Sequence, residues 1–166
     1  MTALGGRLFG SYRGIAGIVY GTIAAMSVIV ADSKQGESSA GDLAAVTMTT
    51  AVVLWLAHVY ATAIGDSLHH GRPLTMSAVR EVAVHQGAIV LAAVAPVAML
   101  VLGAVGALKD STAVWAALGI GMVTLAVQGV RYARAERLGR RAAVFAVSLN
   151  LLLGLALVGL KAAFIH

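Results

Sequence analysis

Residues 84–130 read VHQGAIVLAAVAPVAMLVLGAVGALKDSTAVWAALGIGMVTLAVQGV, which is two long apolar runs separated by the short polar segment KDS. The runs cover residues 84–108 and 112–130. Each is near the roughly 20 residues that an α-helix needs to cross a bilayer. The polar segment at residues 109–111 leaves room for only a short connection. This stretch therefore predicts two membrane-spanning helices that form a tight antiparallel hairpin.

Three further apolar runs flank the hairpin, at residues 14–31, 43–64 and 142–165. The chain has 166 residues, of which 60% are hydrophobic and only 11% are charged. A soluble domain of this length would have about a quarter of its residues charged, to cover its surface. We therefore predict one polytopic membrane domain, an all-α integral membrane protein that is a bundle of five transmembrane helices in the lipid bilayer.

The basic residues predict the orientation of these helices. Nine arginines lie in segments that alternate helices place on one side of the membrane, and three lysines lie on the other side. The arginines are Arg7, Arg13, Arg72, Arg80, Arg131, Arg134, Arg137, Arg140 and Arg141, and the lysines are Lys34, Lys109 and Lys161. Cytoplasmic segments carry the excess of basic residues. We expect a multi-pass protein of the cell membrane with its N-terminus in the cytoplasm and its C-terminus outside, and no nucleic-acid partner.

Four glycines share one face of the first predicted helix: Gly10, Gly14, Gly17 and Gly21. Their spacings of four, three and four residues are those of a helix face. Small residues allow helix backbones to approach closely in lipid. The pattern predicts a packing face, either inside the bundle or between subunits, and a homo-oligomer or a larger membrane complex is compatible with both.

The third predicted helix has two further features. Thr75 or Ser77 can cap a helix that begins before the apolar run, so we expect an amphipathic extension ahead of the span. Pro96 lies in the middle of the run and removes one backbone donor there. We therefore predict a kink at Pro96.

The stretch from residue 58 to residue 85 holds four of the five histidines together with Asp66, Arg80 and Glu81, and ionisable groups are expensive inside a bilayer. On the second helix, His58 belongs to a predicted stripe at helical spacing. That stripe comprises Thr47, Ala51, Leu54, His58, Thr62, Gly65 and His69. Asp66 and His70 are one turn apart and can pair, and Glu81 and His85 can share a proton or a metal.

The predicted topology places polar groups from several helices in the cytoplasmic half of the membrane. His58 and His85 lie there on the second and third helices, and Gln128 lies there on the fourth. Asn150 lies slightly deeper on the fifth helix. The predicted polar site comprises His58, Asp66, Glu81, His85, Gln128 and Asn150.

Three hypotheses for this site follow from the sequence. The first is a proton or ion channel or transporter, because histidine readily changes its charge near neutral pH. The second is a metal-binding or haem-binding membrane subunit, with His58 and His85 as ligands. The third is a non-catalytic accessory subunit, in which the polar groups only join helices. There are no cysteines and no recognisable nucleophile motif, so we do not expect an enzyme.

Overall fold

The computed structural model describes residues 12–32, 38–71 and 73–163, and these form six α-helices. The helices are α1 Tyr12–Asp32, α2 Ala40–His70, α3 Met76–Gln86, α4 Ala88–Ala104, α5 Asp110–Ala135 and α6 Arg140–Ala163. The predicted all-α fold is therefore confirmed for the described ranges. Gly10, and the end of the fifth predicted run at residues 164–165, lie outside them.

The number of candidate spans is four or five. By length and composition, α1, α2, α5 and α6 can each cross a membrane alone. The shorter helices α3 and α4 pass the same test only as a pair, and they are bent by 41° at the break between them. The described helices thus form the bundle of a small polytopic membrane protein.

Local capping sets the ends of α2, which is longer than its apolar run. Ser39 and Asp42 form a capping box at its start, and Gly71 ends it in the left-handed conformation with φ 59°. The helix therefore ends at His70, not at residue 64 as hydropathy predicted. Its 31 residues give a length of about 46 Å, which exceeds the roughly 30 Å of a hydrocarbon core.

The third predicted helix is divided into α3 and α4. Thr75 caps α3 by accepting a hydrogen bond from the N–H of Ala78 at 3.3 Å. Gly87 ends α3 and precedes α4, so the 41° bend lies there. By contrast, α4 runs through the buried Pro96 as one helix, and a kink at that residue stays a prediction. α4 ends at Ala104, four residues before the predicted boundary, and Gly106 then adopts φ 76°.

Helix α1 contacts all five other helices and is the centre of the bundle. Its buried glycines bring it close to α4. A Cβ atom added at Gly17 would lie 3.1 Å from the Cβ of Ala88, and one added at Gly21 would overlap the carbonyl oxygen of Ile89. The described glycines of the predicted packing face, Gly14, Gly17 and Gly21, are all buried inside the chain.

Large apolar side chains fill the space around α1. They come from α1, α2, α4 and α5, and their relative exposure is 2% or less. They include Met26, Ile29, Leu43, Leu100, Leu118 and Leu125. Met26 occupies the space that Gly121 leaves open on α5, since a Cβ atom there would lie 2.6 Å from the Met26 sulfur. The centre of the bundle is therefore a close-packed apolar core.

Helix α6 lies at the edge of the bundle. It packs mainly on α5 and also on α1. Only 6% of its apolar 18-residue stretch is buried, and Phe145 and Leu152 are more than half exposed. Lipid solvates such a surface, whereas water would not.

Candidate functional site

His58 points away from the apolar core. Its side chain is exposed, and its ring contacts the ring of Tyr20 on α1, with 5.8 Å between the centroids. Tyr20 comes six residues after the start of the first candidate span, Gly14–Asp32, and twelve before its end. At 1.5 Å per residue, His58 is therefore roughly 9 Å inside that span. An imidazole is thus presented on the outer face of the bundle, inside a candidate span.

The stripe at helical spacing on α2 matches the buried face of this helix only in its first half. The buried residues of this helix are Ala40, Leu43, Ala44, Thr47, Ala51, Val59 and Ala63. The stripe and the buried face agree at Thr47 and Ala51, but beyond them Val59 is buried and His58 is exposed. The buried residues follow a row at steps of four that includes Thr47, Ala51, Val59 and Ala63, and α2 packs on α4 and α3. His58 lies one residue before Val59 and therefore faces outward.

Gln128 and Asn150 lie level with each other on α5 and α6. A Cβ atom at Gly129, the neighbour of Gln128, would lie 3.1 Å from Nδ2 of Asn150. Gln128 is 5% exposed, and its Oε1 accepts a hydrogen bond from Arg131 at 3.3 Å. Gln128 thus holds an arginine at the end of α5, and Asn150 is the more accessible of the two amides.

A groove joins the His58 region to Asn150. It has a volume of about 480 Å³ and lies where α1, α5 and α6 meet. Tyr20, Tyr132 and Asn150 supply its polar atoms, and its other lining residues are apolar. The groove residues are Ile15, Ala16, Val19, Tyr20, Ile23, Tyr132, Ala146, Leu149 and Asn150. Tyr20 therefore contacts His58 and also lines the groove that contains Asn150.

Sequence reasoning missed Tyr20. The only signal was a phenol inside the first apolar run, because that hydroxyl requires a partner when it is taken out of water. Its neighbours come from α2, α5 and α6, which are distant in sequence, so only the folded chain reveals its position.

Asp66 and Glu81 line one pocket, which lies at the turn between α2 and α3. The pocket has a volume of about 290 Å³, and Ser67 and His70 line it with them. Both carboxylates are on exposed residues. His70 is not paired with the Asp66 carboxylate, because its Nδ1 lies 2.9 Å from the main-chain oxygen of Asp66.

His85 bonds within its own helix. Its Nδ1 lies 2.8 Å from the main-chain oxygen of Glu81, and its side chain is exposed. It lines a different pocket, formed by Met76, Ser77, Arg80, Glu81, Val84 and His85 of α3. His58, by contrast, contacts α1. Within the described ranges, no group of three or more histidine, aspartate or glutamate side chains is arranged to hold a metal ion.

Two threonine hydroxyls are buried in the core of the described bundle. Thr22 on α1 and Thr47 on α2 have a relative exposure of 0%. Neither hydroxyl oxygen has a hydrogen-bond partner among the described residues. Each adds the cost of an unsatisfied polar group to the core.

The chain has no match among protein-family models, curated proteins or solved structures.

Proposed function

We propose that this small polytopic membrane protein passes protons or small cations along its outer face, with His58 as the group that takes up and releases the proton. The observation that carries the proposal is the exposed position of His58 inside a candidate span, in ring contact with Tyr20. Ionisable side chains are rare at this depth and usually mark a path for ions or protons.

The packing of the bundle determines where such a path can lie. Met26, Leu100 and Leu118 are at most 1% exposed, so the interior has no room for a file of water molecules. The path therefore lies outside the core, on the face that His58 and Tyr20 share. A second copy of the chain covers this face in the proposal, because an imidazole that faces lipid alone is costly.

The polar groups of the outer face supply the rest of the route. Tyr20 continues from His58 to the groove that contains Asn150. At the end of α2, Asp66 and Glu81 share a pocket that can attract a cation before it reaches His58. We place this end at the cytoplasmic surface of the cell membrane, as the arginine distribution predicts.

The test is proton flux into vesicles that contain the purified full-length protein and a trapped pH-sensitive dye. A potassium diffusion potential supplies the driving force. We expect His58→Ala to lower the flux roughly a hundredfold or more, which is the smaller end of the effect of removing a proton-transfer group. His69→Ala is the matched control, because His69 is exposed on the same helix and its ring contacts that of the neighbouring His70.

A second measurement in the same vesicles tests whether two copies of the chain form the path together. If two chains form the path, flux rises more than in proportion to the number of chains per vesicle. Unchanged flux in His58→Ala, or wild-type flux no greater than that of empty vesicles, would show that the proposal is wrong.

The described contacts give no specific support to the metal, haem or accessory-subunit hypotheses. His58 and His85 contact different helices, and the pocket that His85 lines is formed by α3. About one metal ion per purified chain, lost in His58→Ala, would favour a metal site over a proton path.

A further inference from the structure

A second groove lies between the end of α5 and the start of α6. It has a volume of about 510 Å³. Two arginines line it, and most of the other lining residues are aliphatic. The complete set is Val130, Ala133, Arg134, Arg137, Leu138, Ala143, Val144, Val147 and Ser148.

The five arginines of this region have different surroundings. Arg131 donates to Gln128 and is half-buried. Arg140 and Arg141 are exposed at the start of α6 and do not line the groove. Arg134 and Arg137 are exposed and line it together. Two guanidinium groups therefore line one groove. A signal for membrane orientation requires basic residues on one side of the membrane, but it does not require two of them to line the same groove.

The groove is amphiphilic along its length. Its arginines belong to the last turn of α5 and to the turn after it, where the chain leaves the candidate span. Val144 and Val147 belong to α6 as it re-enters the apolar region, and Val130 faces them from α5. Guanidinium groups bind phosphate oxygens through two hydrogen bonds, and aliphatic side chains pack well against hydrocarbon.

We propose that this groove binds one anionic phospholipid. Arg134 and Arg137 hold the headgroup phosphate, and an acyl chain lies along Val130, Val144 and Val147. The charge of the region favours this occupant, because residues 131–141 hold five arginines and a single acidic residue, Glu136. The aliphatic walls favour a lipid over a free phosphate ion, because a phosphate ion has no hydrocarbon to pack against them.

Native mass spectrometry of the full-length protein in detergent tests the proposal. The probes are phosphatidylglycerol and phosphatidylcholine with the same acyl chains. We expect the wild-type protein to bind phosphatidylglycerol at least about tenfold more tightly, from the attraction of two basic groups to an anionic headgroup. The double substitution Arg134→Gln/Arg137→Gln should remove this preference.

Arg140→Gln/Arg141→Gln is the matched control. It removes the same charge from the same segment but leaves the groove unchanged, so its lipid preference should stay within about twofold of the wild type, a difference well below the effect expected for groove arginines. Equal losses in the two variants would overturn the proposal and indicate diffuse attraction. No loss in either variant would overturn it as well.

Two further experiments distinguish a lipid from a free phosphate and test whether a loss of binding is due to misfolding. Glycerol phosphate in excess should not displace phosphatidylglycerol, and displacement would indicate a site for the headgroup phosphate alone. Val144→Trp keeps all five arginines and fills the groove, so it should weaken phosphatidylglycerol binding while the circular dichroism spectrum stays unchanged. Unaltered binding in Val144→Trp would show that no acyl chain occupies the groove.

Discussion

Helices α1 and α6 are both long and strongly apolar, yet they occupy very different places in the fold. Half of the apolar 18-residue stretch of α1 is buried in the bundle, whereas 6% of the corresponding stretch of α6 is buried. α1 has glycines where α4 approaches, whereas the described part of α6 has one buried glycine, Gly154. Hydropathy alone therefore indicates that a helix tolerates lipid, but it does not indicate which helix lies at the centre.

The largest expected effect breaks the contact between α1 and α4. In Gly21→Leu the new side chain overlaps the carbonyl oxygen of Ile89, and a backbone atom cannot move aside cheaply. We expect a loss of about 3 kcal/mol in the free energy of unfolding. Thermal unfolding in detergent, followed by circular dichroism, measures it.

The control for this change lies on α6. No described atom lies within 4 Å of a Cβ added at Gly159, so Gly159→Leu should change the stability by less than about 0.5 kcal/mol. Equal losses in the two variants would contradict the distinction between a central and a peripheral helix.

A cavity in the core should have the next largest effect. Met26 on α1 is 0% exposed, and Leu152 on α6 is 61% exposed. We expect Met26→Ala to lower the free energy of unfolding by about 2–3 kcal/mol, because its core contacts are lost and a void remains. Leu152→Ala should cost less than about 0.5 kcal/mol in detergent, which covers the site in both states. A larger cost for Leu152→Ala would indicate that a protein partner covers α6.

The smallest expected effect concerns a buried hydroxyl. Thr47 is 0% exposed and its hydroxyl has no partner within the described part of the chain. Thr47→Val keeps the shape and removes the unsatisfied group, so we expect a gain of about 1 kcal/mol in stability. Thr49→Val is the control, because Thr49 is exposed two residues away on the same helix. A loss of stability in Thr47→Val would indicate that the hydroxyl binds a buried water or a ligand.

Part of the candidate site could be predicted from the sequence. His58 was identified because an ionisable group inside an apolar run is expensive, and that cost depends on local composition. Its outward direction could not be predicted. That direction depends on which face of α2 packs on α3 and α4, which is a property of residues distant in the chain.

Helical spacing also did not predict the hydrogen-bond partners of the polar residues or the pockets that they line. Helical spacing identified the residue pairs Asp66–His70 and Glu81–His85. In each pair the imidazole Nδ1 lies near the main-chain oxygen of the acidic residue, and spacing alone pointed to its carboxylate. Asp66 and Glu81 share a pocket because Gly71 and Thr75 shape the turn between α2 and α3. The groove that joins Tyr20 to Asn150 depends on three helices meeting.

The sequence by itself determined the all-helical class, the apolar candidate spans and the caps at Ser39 and Thr75. These features depend on residues close in the chain, whose hydrophobicity and hydrogen bonds act locally. Only the tertiary structure decided that α1 is central, that the third predicted helix bends at Gly87, and that His58 faces outward. The physical reason is that close packing depends on the shapes of side chains brought together from distant helices, and neighbouring residues on one helix can face the core and the outer surface.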